Sequence, residues 1–548
     1  MGRAAMITKE AQLQHLALSL LVFYLLYTLT NLYGAALYQL NPNHIHNLAL
    51  PVDQTIFFIP AMIVPYSWSL LLFCASFFMV RTSQQLTLLT CRLILATLFA
   101  TLIFYLYPAR FSFIRPITSD WTQIGYQFLA VTDKPFNQFP SLHVSYALLL
   151  GVSLWRVVPA SKAALQSIYR AALLTVCSLI ILSTVFTYQH HVLDIVGGVG
   201  LATVVLWVAN KLRNGLVLKY LTVAIAGFIM LAIAGFFLAL NTGIVALQYI
   251  AIAFALYWLM SFLTVTWGYQ NPNLARNQRW FSKDSLGQLT LGTWLRFAPL
   301  LMAYKIMAAL GQWHTQRNKN VAAVPIPILT AKQPSDNTVV TIASARLATA
   351  TLCEQLSYWQ SLPDSGALPE VVSPSCQIIV VDLALELTSH YTALPTALPI
   401  IPTESKCSKP PQQLEQQSSC LRSFQSHYLY FPLLDLMPLS EIAVSDYLAL
   451  FRQIDKLAGF DKEAEGKVAK DEVQQKNHDV DEIIIINFQC VMGFSRSVGL
   501  TVLYLVYCGK LTVGSYRAWL SQHYPRARLP EAYLPAALIV AITAVSSQ

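Results

Sequence analysis

Eight apolar runs fill the first half of this chain, at about 14–38, 54–79, 88–107, 141–158, 169–188, 191–210, 217–240 and 244–267. Each is near the ~20 residues that the hydrocarbon core of a bilayer requires. Nothing else in the sequence constrains the fold as much, because a backbone inside lipid must satisfy its own hydrogen bonds. A helical polytopic domain is therefore expected, with the bilayer as its first partner. Over all 548 residues, 55% are hydrophobic and 11% charged, too apolar for a soluble globule. The apolar excess ends near residue 268, so a soluble part is expected to follow.

The net charge of +9 does not indicate nucleic acid. Most cations of the first half sit in short loops, where they set orientation, and no nucleic-acid motif is present. Arg3, Lys9, Arg81, Arg156, Lys162, Arg170, Lys211, Arg213 and Lys219 fall on one side of the spans, against Arg110, Arg115 and Lys134 on the other. The N-terminus is then cytoplasmic, as an uncleaved signal-anchor, and eight spans return the second half to the cytoplasm. The run from Leu286 to Leu310 carries Arg296 and Lys305 and suits a helix lying in the interface better than a ninth span. The nine cysteines contain no C-x-x-C pair and no metal-ligand spacing, which fits a reducing compartment for the second half. Cys74, Cys91 and Cys177 lie in apolar runs, where packing is the expected role.

Three polar islands share the outward side. They are Arg110 to Arg115-Pro116, then Pro140-Ser141-Leu142-His143, then Thr187-Tyr188-Gln189-His190-His191-Val192-Leu193-Asp194. Ionisable groups at membrane depth are costly and need a partner or a task. On a helix His190 and Asp194, four residues apart, would share a face. The carboxylate could then hold one imidazole nitrogen and leave the other free to attack. By the same spacing rule His191, without an i+4 carboxylate, is not the expected nucleophile. His44 and His46 form an H-x-H in an outward loop, for which a metal role has little support.

These islands resemble the type 2 phosphatidic acid phosphatase (PAP2) superfamily. Pro140-Ser141-Leu142-His143 matches its P-S-x-H motif, and Ser183, His190 and Asp194 fall in register on its S-R-x5-H-x3-D motif. Its K-x6-R-P motif is half present, as Arg115-Pro116. The resemblance implies that His190 attacks phosphorus, Asp194 orients it and His143 protonates the leaving alkoxide. Arg115, with Arg110, Ser141 and Ser183, would bind the phosphate. Thr184 stands where the family has Arg, and Pro108 where it has Lys. The Q-H-H-x-x-D form is similar to the inositol-phosphoryl transferases of sphingolipid synthesis, so transfer to an alcohol is an alternative to hydrolysis. An inactive phospholipid-binding receptor is a further alternative.

In the second half, Gln377–Asp382 and Glu482–Phe488 are continuous β-branched runs, as a central parallel sheet requires. After the second comes Cys490-Val491-Met492-Gly493-Phe494-Ser495-Arg496-Ser497, a C-x5-R-S stretch opening a predicted helix. Such a loop presents backbone N–H groups to an anion and favours a thiolate. It resembles the H-C-x-x-G-x-x-R-S signature of the dual-specificity cysteine phosphatases, with Gln489 in place of His. The resemblance implies an α/β cysteine-phosphatase domain. Cys490 would be its nucleophile, Arg496 and Gly493 part of the phosphate cradle, Ser497 a stabiliser of the leaving thiolate and Asp435 the general acid.

The expected organisation is a PAP2-like six-helix domain (1–215), two further transmembrane helices (216–268), an interfacial helix and linker (269–320), and a cytoplasmic phosphatase-like domain (321–548). The last carries inserts at about 392–426 and 460–482. The expected protein is a bifunctional phosphatase of a bacterial inner membrane with its PAP2 site outward. Its substrates would be a lipid phosphate or diphosphate outside and a phosphoprotein or phospholipid head group inside. Neither mechanism calls for a cofactor or metal.

Overall fold

The computed structural model describes residues 7–117, 121–132, 134–158, 163–213, 215–284, 288–317, 328–332, 338–345, 375–384, 423–434, 437–458, 483–490, 495–524, 527, 529–531 and 533–546. The chain divides into two compact units, Met1–Gln270 and Asn271–Gln548.

The first unit is helical. Its elements are α1 (Lys9–Leu40), α2 (Ile63–Met79), α3 (Ser83–Leu106), α4 (Gln123–Thr132), α5 (Leu142–Leu154), α6 (Ala163–Phe186), α7 (Val192–Ala209), α8 (Gly215–Thr242) and α9 (Val245–Gln270). Among the described residues, seven helices are long and apolar enough to cross a membrane, which makes this a multi-pass arrangement. The fourth apolar run is the exception. It was expected to span, yet α5 has 13 residues. It packs against α2, α3, α6 and α7. A helix enclosed by protein can be short, because its end groups find partners other than lipid.

α3 is the hub. The Thr82 hydroxyl accepts from Gln85 N–H while Gln85 Oε1 accepts from Thr82 N–H, a reciprocal cap that fixes its start. Leu89, Leu93, Ala96, Leu98 and Ala100 are buried on all sides, in one core with Phe73, Phe77, Leu149, Leu150 and Val205. Two polar contacts cross that core: Arg92 Nη1 donates to Ser153 Oγ at 2.9 Å, and Thr97 meets the Tyr146 hydroxyl at 2.8 Å.

In the second unit, α10 (Leu274–Trp280) and α11 (Leu291–Arg317) precede five strands: β1 (Ile328–Lys332), β2 (Thr338–Ala345), β3 (Ser375–Ala384), β4 (Ser423–Leu433) and β5 (Ile483–Cys490). α12 (Val444–Leu457) lies between β4 and β5, and α13 (Arg496–Tyr507), α14 (Tyr516–His523) and α15 (Ala536–Ser546) follow. The sheet order is β1-β2-β5-β3-β4, parallel except for β1 against β2. The buried residues Ile379, Val381, Ile484, Ile486 and Phe488 make β3 and β5 its apolar centre. α11 is not among the spanning helices. It kinks at Phe297, two residues before Pro299. Of the expected insert at 392–426, residues 423–426 open β4 instead; its remainder and the insert at 460–482 lie outside the described residues.

One helix contact positions the first site. A Cβ on Gly198 of α7 would lie 2.7 Å from the Ser141 carbonyl oxygen and 2.8 Å from Val144 Cβ. Only the missing side chain lets the start of α5 touch α7, where Ser145 Oγ donates to Gly198 O at 2.9 Å. Gly200, two residues on, has nothing within 4 Å of the same point. Gly198→Ala should therefore destabilise the detergent-solubilised protein by about 1–3 kcal/mol through overpacking. Gly200→Ala should stabilise it by about 0.5–1 kcal/mol through helix propensity. Melting curves moving the same way for both would refute this account of the contact.

Candidate active sites

The first site is built where α6 ends and α7 begins. Tyr188 takes a left-handed backbone (φ 53°), which turns the chain out of α6. The N–H groups of Gln189 and His190 both donate to Thr184 O, at 3.1 and 3.0 Å. His191 is the N-cap of α7, and Asp194 lies at its third position. Asp194 Oδ2 accepts from the His191 N–H at 2.9 Å and lies 3.4 Å from His190 Nδ1. Both side chains are buried. The pair therefore meets, though not as neighbours on a helix face: His190 precedes the helix, and the capping turn brings the carboxylate back to it.

His143 arrives from the second position of α5, whose N-cap is Ser141. The His143 and His190 ring centroids are 5.9 Å apart. The Tyr66 hydroxyl lies 3.4 Å from His143 Nδ1, with its ring 4.4 Å from the imidazole. Ser141 joins the two helices: its N–H donates to Asp194 O at 3.1 Å, and its hydroxyl accepts from Val144 N–H. Arg115 donates through Nε to Thr187 O (3.2 Å) and through Nη2 to Tyr188 O (3.4 Å), which seats a cation at the C-terminal end of α6 beside the histidine turn.

Two expected phosphate ligands, Arg110 and Ser183, also make contacts within the first unit. The Arg110 guanidinium lies over the rings of Tyr38 and Phe136, at 4.4 and 5.9 Å. The buried Ser183 hydroxyl donates to Ile180 O at 2.7 Å, so its only proton stays within its own helix. Thr184, where the resemblance expects Arg, does the same towards Ile181 O. His46 stacks on Tyr107, and among the described residues no group of three His, Cys, Asp or Glu could hold a metal ion.

Sequence reasoning missed Asp53. It comes from the loop between α1 and α2 and is buried. Its carboxylate accepts from Leu50 N–H (2.6 Å) and from Val192 N–H (2.8 Å) and lies 3.5 Å from His191 Nδ1. His191 Nε2 faces the Ser112 N–H at 3.4 Å and its hydroxyl at 3.2 Å. An amide N–H can only donate, which assigns the imidazole proton to Nδ1, towards Asp53. Phe111 and Phe113 hold the ring at 4.5 and 5.2 Å. His191 thus has a carboxylate after all, from 138 positions earlier (191 − 53), but its other nitrogen faces Ser112 instead of His143. The available signal was isolation, since Asp53 is the lone acid between Glu10 and Asp120.

In the second unit, Cys490 ends β5 and its Sγ lies 3.2 Å from Ser497 Oγ. Arg496, first residue of α13, is buried and donates through Nη1 to Leu433 O (2.9 Å) and towards Leu383 O (3.4 Å). The guanidinium thereby joins the ends of β4 and β3 beside β5. Gly493 and Asp435 lie outside the described residues. Asp382, paired in register with Gln489, carries a contact that the sequence concealed. It forms a fully buried ion pair with Lys283 at 2.8 Å and accepts from the Tyr428 hydroxyl. Lys283 also donates to Ala384 O and lies over the Tyr430 ring.

Residues 36–208 match the PAP2 superfamily. No curated protein and no solved structure matches the chain. The matched stretch includes Asp53, His143, His190 and Asp194 and stops short of the second unit. It implies phosphatase- or phosphotransferase-type chemistry on phosphate esters, with a lipid phosphate as substrate in a bilayer setting.

The buried contacts give two tests. Asp53→Ala strands two backbone donors, each worth about 1–3 kcal/mol when left unsatisfied. It should lower the melting temperature far more than Ser112→Ala, which keeps the N–H contact to His191; equal shifts would exclude Asp53 as the anchor. Lys283→Met leaves the Asp382 charge alone and should cost about 3–5 kcal/mol. Adding Asp382→Asn to it should recover part of that loss in thermal unfolding of the full chain.

Proposed function

We propose that this protein, whose residues 36–208 form a PAP2 superfamily domain, is a bifunctional membrane phosphatase with one site in each unit. The observation that carries the first activity is the approach of His143 and His190 to 5.9 Å, with Asp194 at 3.4 Å from His190 Nδ1. In this reading His190 Nε2 attacks the phosphorus of a lipid phosphate. A P–N bond forms, the P–O ester bond breaks, and His143 gives its proton to the departing alkoxide. Water then attacks phosphorus, the P–N bond breaks, and His143 takes the water's proton. Asp194 holds the Nδ1 proton and balances the charge that develops on the ring. Tyr66 orients His143, and Arg115, bonded to the Thr187 and Tyr188 carbonyls, is read as the phosphate-binding cation.

The second activity is read from Cys490, Arg496 and Ser497. The thiolate would attack a phosphomonoester, the loop 491–495 would cradle its oxygens, and Ser497, at 3.2 Å, would donate to the sulfur when phosphocysteine hydrolyses. Asp435 remains the proposed acid. The unit is read as an α/β cysteine-phosphatase domain facing the cytoplasm of a bacterial cell, and the PAP2 site as facing outward.

A transferase reading of the first site has one observation in its favour. Neither cation of the family pattern is present at Thr184 and Pro108, and the Thr184 hydroxyl is bonded within α6. A weaker hold on free phosphate suits delivery to an alcohol. Product analysis with and without an inositol-type acceptor separates the two.

His190→Ala should abolish phosphate release from lipid phosphates and spare hydrolysis of a small aryl phosphate; Cys490→Ser should do the opposite. Loss of both activities from either change would rule out two independent sites. His143→Ala should slow the lipid reaction by about 10²–10⁴-fold, as loss of a general acid does. Vanadate should inhibit both reactions and EDTA neither.

A further inference from the structure

α11 is apolar on two faces, one buried and one exposed. Thr293, Phe297, Leu300 and Leu301 are buried in the second unit. Phe297 stacks on Phe281 with ring centroids 4.4 Å apart, and Thr293 Oγ1 bonds Ser282. The opposite face exposes Leu291 (74%), Leu295 (67%), Met302 (57%) and Ile306 (59%). Leu291 and Leu295 before the kink, and Met302 and Ile306 after it, are each four residues apart and so share a face of their own helical segment. A helix on the surface of a soluble domain carries polar residues there. Four large apolar side chains on a single helix call for an occupant.

Three observations point to lipid. The helix follows α9, one of the seven helices long and apolar enough to span, after only residues 271–290. Its cations lie beside these residues in the chain: Arg296 is exposed, and Lys305 is exposed with its ammonium 4.3 Å from the Trp294 ring. Across 271–317 the charge is one-sided, with Arg276, Arg279, Lys283, Arg296, Lys305 and Arg317 against Asp284 alone. Basic residues beside exposed apolar ones, with a tryptophan under one of the cations, are the pattern of a helix lying in the plane of an anionic leaflet. α11 cannot itself span, because its other face is already packed on the second unit.

We infer that Leu291, Leu295, Met302 and Ile306 insert between the acyl chains and head groups of the leaflet where α9 ends, while Arg296 and Lys305 reach phosphates of anionic phospholipids. α11 is then a membrane-docking surface of the second unit. The inference rests on neither phosphatase site.

The test places an environment-sensitive fluorescent amino acid at position 295, 302 or 522 of the full-length protein. The protein is reconstituted in vesicles of phosphatidylglycerol and phosphatidylethanolamine, with or without brominated acyl chains. Gln522, exposed on α14, is the reference. Bromine should quench positions 295 and 302 by at least about threefold more than 522, and aqueous iodide should show the reverse order. Iodide quenching at 295 and 302 equal to that at 522 would place these side chains in water. Quenching by neither agent would mean that protein covers it. Either result overturns the proposal.

Discussion

The Asp194 carboxylate sets the arrangement of the first unit's polar chemistry. It is fully buried; its Oδ2 answers two claims, while Oδ1 has no hydrogen-bond partner. One claim is the N-cap N–H of α7, whose partial positive charge favours an anion in the first turn. The other is His190. The same group that starts the helix therefore also fixes an imidazole, and removing it would disturb both. Asp53 repeats the device one residue later, taking the Val192 N–H and His191. Two carboxylates from distant parts of the chain thus converge on one helix N-terminus, and each brings a histidine to it.

That convergence shows why some of the site was legible in the sequence and some was not. His190 and Asp194 are close along the chain, so their spacing announced the pair, although the capping turn, and not the helix face, makes the contact. His143 was legible as a polar residue opening an apolar run on the same predicted side. Asp53 depends on a loop 138 positions away folding over α7, and no local period encodes that. Arg110 and Ser183 have contacts that the sequence did not announce. Residue type and position suggest phosphate ligands, and the structure sets aromatic rings beside the one and an i−3 carbonyl beside the other. In an apolar interior a hydroxyl bonds its own helix because the alternative is no bond at all.

The second unit divides in the same way. The β-branched runs at 377–382 and 483–488 foretold β3 and β5, because a strand buried on both faces must be apolar throughout. The antiparallel β1 and the register of β3 beside β5 required knowing which runs are neighbours. Lys283 was hidden for a different reason. It lies in a segment whose composition suggested a linker, yet its ammonium enters the sheet edge and neutralises Asp382. A buried pair of this kind contributes little net stability against an apolar alternative, but it penalises any arrangement that separates the partners.

A consequence for the second site follows from where those charges stand. Asp382 is in register with Gln489, the residue before Cys490, so an unpaired carboxylate there would oppose the thiolate and the phosphate of the proposed second activity. Lys283 cancels it at 2.8 Å, and the Tyr428 hydroxyl takes a further share of the same oxygen. Arg496 donates to the carbonyls that end β3 and β4. Both groups stand at the carboxyl ends of the parallel strands, where ligands of α/β sheets bind. The pairing of the acid there depends on a lysine contributed by the segment that directly follows the membrane helices.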